Sequence, residues 1–240
     1  MGKSARPVEA VIFDFGGVIS VSFSRDLARF EADLGYPPGA LLALLFGEGT
    51  LAGNPRGGDP TDGAAGADTS AVTHDWHRLE VGELTLHDYL LDVIDRAPEV
   101  LGEPIGMDAY ARFVAEMPIG VHWPVVHAVR DLQARGYTLA LLTNNVREFG
   151  DTWRDTFPVD ELFPVVVDSS AVGLRKPDPR IYELTCARIG LAPEVCVFID
   201  DNLDNVEAAR ALGMEAIRFG DDPWAVLAEL EAILTRRPRT

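Results

Sequence analysis

The sequence predicts an α/β protein: a five-stranded parallel sheet with helices on both faces and a block of helices inserted after the first strand. Three observations predict it. Short apolar runs alternate with helical patterns through the second half of the chain, as parallel strands joined by crossover helices require. One further apolar run, Ala10 to Phe13, stands alone far upstream. Between it and the rest, the apolar spacing is helical only.

In order, Ala10-Val11-Ile12-Phe13 reads as a buried strand, because it is a short apolar run with turn signals after it: Asp14, then Gly16 and Gly17. Helical spacing follows over Asp26–Leu34. Pro37 and Pro38 open a second helix that runs to Phe46. From Gly47 to about Ser70, Gly, Ala, Asp, Pro and Thr dominate, and the segment reads as a loop or insert. Helical patterns return at His74–Leu79, Leu84–Ile94 and Met107–Met117. His122–Gln133 is an amphipathic helix stopped at Gly136. The remaining strands are predicted at Thr138–Leu142, Phe163–Val167, Val195–Ile199 and Glu215–Phe219. The helices between and after them fall at Pro179–Ile189, Leu203–Leu212 and Trp224–Leu234. Trp224 and Leu227 read as core positions. The basic run Arg236-Arg237-Pro238-Arg239 reads as a frayed terminus. Residues 1–20 and 120–240 are thus expected to form one α/β domain and 21–119 an inserted helical domain.

Composition narrows the function classes. The 240 residues are 47% hydrophobic and 25% charged, which suits a chain with a substantial core. A formal net charge of −17 argues against nucleic acid or an anionic membrane as a partner. Cys186 and Cys196 have neither disulfide-framework nor metal-site spacing and read as small buried residues. No apolar run approaches the ~20 residues that span a bilayer, and no signal-peptide core is present, so a cytoplasmic protein is expected. Oligomeric state is not readable.

Chemistry gathers at the strand ends. Asp14 follows the first strand, Thr143-Asn144-Asn145 the second and Asp200-Asp201-Asn202 the fourth. Parallel strands bring these ends to one sheet edge, where open α/β sheets place their ligands. Arg175-Lys176-Pro177-Asp178-Pro179 precedes a helix whose first turn Pro179 suits. Asp14 and Asp201 are hard oxygen donors and imply Mg2+, a cation usually bound by one or two carboxylates together with a substrate phosphate. Lys176 adds a compact positive charge, and Lys3 is the only other lysine among 21 basic residues. An aspartate in such a setting can become an aspartyl-phosphate.

These motifs resemble those of the haloacid dehalogenase-like (HAD) hydrolase superfamily. The matching residues are Asp14-Phe15-Gly16-Gly17-Val18, Leu142-Thr143-Asn144, Lys176-Pro177-Asp178-Pro179 with Ile181-Tyr182, and Phe198-Ile199-Asp200-Asp201. The resemblance implies a Rossmann-like core and a C1-type helical cap. Trp76 to Thr85 is similar to the cap segment of the branch that holds the epoxide-hydrolase N-terminal phosphatase and bacterial sugar-phosphate phosphatases. It further implies that Asp14 is the nucleophile and that Asp14, the Gly16 carbonyl and Asp201 hold Mg2+, supported by Asp200. Phe15, Gly16, Thr143, Asn144 and Lys176 would bind the phosphoryl group, with Lys176 also catalytic. The implied substrate is a small phosphorylated metabolite, such as a sugar phosphate.

One position departs from the family pattern. Most phosphatases of the superfamily carry a second Asp two residues after the nucleophile, as acid and then base; here Gly16 stands there. A missing acid–base group costs about 10²–10⁴ in rate. A cap residue could replace it, the candidates being His74, His77, Glu80 and His87. Metal-independent 2-haloacid dehalogenation and phospho-ligand binding without turnover are the alternatives. Asp201 argues against the first, since those dehalogenases carry serine there.

Overall fold

The computed structural model describes residues 6–21, 23–46, 75–109, 112, 120–150 and 152–239. The expected Gly47–Ser70 loop, His74 and most of the expected Met107–Met117 helix lie outside them. Strands β1 (Ala10–Phe13), β2 (Thr138–Thr143), β3 (Val165–Asp168), β4 (Cys196–Asp200) and β5 (Glu215–Arg218) form one sheet. Its order is β3-β2-β1-β4-β5, and all four pairings are parallel. All five strands were expected, β3 ending at Asp168 rather than Val167.

Side-chain alternation on β1 explains the two-sided packing. Val11 and Phe13 face one layer, built on α5 (Trp123–Ala134) and α10 (Pro223–Arg236). Ala10 and Ile12 face the other, built on α8 (Pro179–Ile189) and α9 (Leu203–Ala211). A strand covered on both faces must be apolar throughout, as this one is. Short helices α6 (Val159–Leu162) and α7 (Ser169–Val172), absent from the sequence reading, flank β3. Their single turns are too short to show a helical period.

Between β1 and α5 the described residues form α1 (Phe23–Leu34), α2 (Ala40–Phe46), α3 (Asp75–Glu80) and α4 (Leu86–Leu101). They share a separate apolar cluster through Leu27, Leu44, Leu79, Tyr89 and Val93, which Val146 joins from beyond β2. Helix α4 runs through Pro98 and ends seven residues beyond the expected Ile94. Thr85 starts it, its hydroxyl accepting from the Asp88 amide at 3.1 Å.

Two expectations are corrected here. Trp224 is 67% exposed and Leu227 only half-buried. The buried stripe of α10 is Val226, Leu230, Ile233 and Leu234, spaced four, three and one apart, and Trp224 falls off it. The basic tail is not frayed at Arg237. Its guanidinium donates to the carbonyls of Arg6 (2.6 Å) and Glu194 and to the Glu215 carboxylate (3.3 Å). Its own carbonyl accepts from the Val8 amide at 3.0 Å.

Candidate active site

The register sets the site. Phe13 lies level with Ile199 of β4 and Leu141 of β2, so the residues after them reach the same edge together. The Asp14 amide still donates to the Ile199 carbonyl at 2.9 Å, and the chain turns only after it. Gly17 makes that turn possible, with φ +72°, and a Cβ there would stand 2.2 Å from Asp201 Oδ2. Only glycine allows the backbone so close to that carboxylate. Gly16 is different: a Cβ there meets nothing within 4 Å.

Lys176 is the centre of the cluster. It is 1% exposed, and its Nζ lies 2.7 Å from both Asp14 Oδ1 and Asp200 Oδ2. Burial works to lower its pKa, but the two carboxylates outweigh that and hold it above the ordinary lysine value. The two carboxylates thus favour the charged ammonium. Asp200 is fully buried, and its Oδ1 accepts from the Asn202 amide (2.9 Å) and Asn205 Nδ2 (3.0 Å). Asp14 Oδ1 also accepts from the Phe15 amide at 2.7 Å.

Charge is not balanced by this lysine. Asp14, Asp200 and Asp201 each offer a carboxylate oxygen, all within 4.8 Å of one another, against one ammonium. Burial pushes the Asp14 carboxyl up to about 7; Lys176 opposes the shift and Asp200 adds to it. Burial, then Asp200 and Asp14, push Asp201 well above the carboxylate range. Three hard oxygen donors whose ionised forms disfavour one another fit a divalent cation such as Mg2+, which would offset that repulsion.

Thr143 ends β2 and is buried, its hydroxyl 3.3 Å from the Asn144 carbonyl. The Asn144 side chain grips the Lys176 backbone from both sides: its Nδ2 donates to the Lys176 carbonyl at 3.1 Å, and its Oδ1 accepts from the Lys176 amide at 2.8 Å. In this structure Asn144 holds the lysine's loop, and the Phe15 amide is used by Asp14. Three of the four cap candidates are among the described residues. Glu80 is buried and paired with Arg175 at 2.7 Å, His77 is half-buried on α3, and His87 is exposed. The sequence reading gave no role to Asn202, Asn205 or Asn145, whose Nδ2 donates to Asp168 at 2.8 Å. Their signal is the Asn that follow the ends of β2 and β4, Asn145 after Thr143-Asn144 and Asn202 and Asn205 after Asp200-Asp201.

The chain belongs to the haloacid dehalogenase-like hydrolase family, which it matches over residues 8–213. Among its relatives, mouse acyl-CoA dehydrogenase family member 10 is 30% identical over 235 residues, 97% of this chain but 20% of that protein. Phosphoglycolate phosphatase of Escherichia coli K12 is 30% identical over 110 residues, 46% of this chain and 44% of that protein. The chain thus spans less than half the length of either. A HAD family enzyme of Bacteroides thetaiotaomicron, crystallised with magnesium and inorganic phosphate, superposes with a TM-score of 0.61. It is 18% identical, and the match covers 92% of this chain and 98% of that one. No helix among the described residues is long and apolar enough to cross a membrane.

Proposed function

We propose that this chain hydrolyses small phosphate monoesters through an aspartyl-phosphate on Asp14, with Mg2+ as cofactor. The observation that carries the reading is the cluster of three carboxylates around one buried lysine at the sheet's carboxyl edge. The phosphatase and magnesium–phosphate relatives support it.

Asp14, the Gly16 carbonyl and Asp201 would hold the Mg2+, and Asp200 would support it while anchoring Lys176. The cation supplies electrostatic stabilisation of the phosphoryl oxygens. Asp14 attacks phosphorus, the ester P–O bond breaks, and the leaving oxygen takes a proton. Water then attacks phosphorus, the bond to Asp14 breaks, and inorganic phosphate leaves. Lys176 offsets the repulsion between carboxylate and phosphate, and Phe15, Gly16, Thr143 and Asn144 line the phosphoryl position. With Gly16 where an acid would stand, substrates whose leaving group needs little protonation are favoured, such as a glycosyl 1-phosphate or an acyl phosphate. We assign residues 1–20 and 120–240 to the catalytic domain and 21–119 to a cap that restricts the site to small phosphorylated metabolites. Asp201 weighs against metal-independent dehalogenation, because a third acid beside the nucleophile repels an anionic substrate unless a cation offsets it.

The test is release of phosphate from an aryl phosphate, followed by a panel of phosphorylated metabolites. Turnover is expected only with Mg2+ and is expected to vanish in Asp14→Asn. Metal-independent turnover, halide release from 2-haloacids, or binding without turnover across the panel would each overturn the reading.

A further inference from the structure

Glu80 is the last residue of α3, on the inserted helices, yet its contacts lead to the lysine of the α/β layer. Its carboxylate accepts from Arg175 Nε at 2.7 Å and from Trp76 Nε1 at 3.1 Å. Both members of the ion pair are largely buried, with side-chain exposures of 13% for Arg175 and 6% for Glu80. Arg175 is the chain neighbour of Lys176. A second path starts at the Glu80 backbone: its carbonyl accepts from Ser169 Oγ at 2.7 Å, and that oxygen accepts from the Asn145 amide at 2.9 Å. Asn145 adjoins Asn144, the residue that brackets the Lys176 backbone.

The seat of this helix is tight. Gly82, two residues on, has φ +75°, and a Cβ there would stand 2.7 Å from an Arg147 guanidinium nitrogen. That guanidinium donates to the Ser170 carbonyl at 3.1 Å, and Glu148 accepts from the Leu86 amide at 3.0 Å. A solvent-exposed ion pair would be worth little, but a buried one cannot lose a partner without leaving a charge uncompensated.

We infer that Glu80 is a positioning residue for Lys176: through Arg175 and through Ser169–Asn145–Asn144 it ties the seating of the inserted helices to the placement of the lysine ammonium. The inference rests on the phosphatase reading only for its effect on turnover. A displaced α3 would shift both supports of the Lys176 backbone and so the 2.7 Å contacts of its Nζ with Asp14 and Asp200. A misplacement of about 1 Å at such a distance from the chemistry can cost ~10²-fold in rate.

The chain's lysine content makes the test direct, because Lys3 and Lys176 are the only lysines. Protein carrying isotopically labelled lysine gives two side-chain ammonium signals by NMR, and Lys176→Arg identifies the Lys176 signal. In Glu80→Gln the Lys176 signal is expected to shift or broaden while that of Lys3 stays. Aryl-phosphate kcat should fall about 10–100-fold, with KM changed far less. Arg175→Gln should do the same, and the double variant should lose little more than either single one. If Glu80→Gln unfolds the protein, Arg175→Gln carries the test. A Lys176 signal unmoved in a folded variant overturns the inference, whatever the melting temperature does. Wild-type protein that turns over no phosphate ester, with the Lys176 signal moved in Glu80→Gln, would instead overturn the phosphatase reading alone.

Discussion

At the residue scale, two adjacent glycines do different work. Gly17 needs its positive φ, and any side chain there would collide with Asp201. Gly16 faces open space. Gly17→Ala is therefore expected to displace Asp201 and lower turnover by about 10²-fold. Gly16→Asp should fold as the wild type does. It should raise turnover of alkyl phosphates relative to aryl phosphates by up to about 10²-fold, because only the poorer leaving group needs the proton. Steady-state assays on one alkyl and one aryl substrate check both; an unchanged ratio in Gly16→Asp would count against the assigned geometry. Asp178 offers a test by pH. Its carboxylate caps α8, accepting from the Arg180 amide at 2.9 Å. Its side-chain bond to the Arg180 guanidinium holds it below the ordinary 3.8. A depressed pKa gives stability that is complete above the unfolded value and is lost as pH falls through the folded one. Asp178→Ala should cost about 1 kcal/mol near neutral pH, and the gap in Tm should narrow as the solution is taken below about pH 4.

At the element scale, helix faces are set by the stripe rather than by residue size. Trp224 is the bulkiest apolar residue of α10 and stands in solvent, whereas Leu230 is buried against the sheet. Trp224→Ala should change stability by no more than about 0.5 kcal/mol. Leu230→Ala should cost about 2–5 kcal/mol. Denaturant unfolding of the two variants measures this, and a large loss for Trp224→Ala would contradict the assigned face. Helix α2 shows the same dependence on context. Its start is held by Glu31, a buried carboxylate on α1 that accepts from the amides of Gly39 (2.9 Å) and Leu41 (2.6 Å). The apolar run over 41–46 was legible in the sequence, but this cap was not. A glutamate eight residues before its partner carries no local signature.

At the scale of the whole molecule, one arginine ties the ends of the chain to the sheet. Arg237 joins the segment before β1, the turn before β4 and the first residue of β5. Arg237→Ala should lower stability by about 1–3 kcal/mol, as for a buried charged group that leaves carbonyl partners unsatisfied. Thermal unfolding of Arg237→Ala beside Arg239→Ala tests it, and equal effects would show the tether to be unimportant. Such a contact could not be read in advance, because a basic terminal run has the composition of a frayed end. The five strands could be read, because each is a short apolar run closed by a polar or turn residue. Asp14, Thr143, Lys176, Asp200 and Asp201 could be read for the related reason that each breaks an apolar or turn pattern where a parallel sheet would expose it.

The sequence by itself determined the α/β alternation, the place of the helical insertion and the residues brought to one sheet edge. These follow from local period and from parallel pairing, and both are properties of short stretches. Only the tertiary structure decided how those residues share their hydrogen bonds. It gave the Asn144 side chain to the Lys176 backbone, Asn202 and Asn205 to Asp200, and Glu80 to Arg175. A side chain's partner is the group that the packing of distant elements sets within about 3 Å, and that distance has no signature in the order of residues.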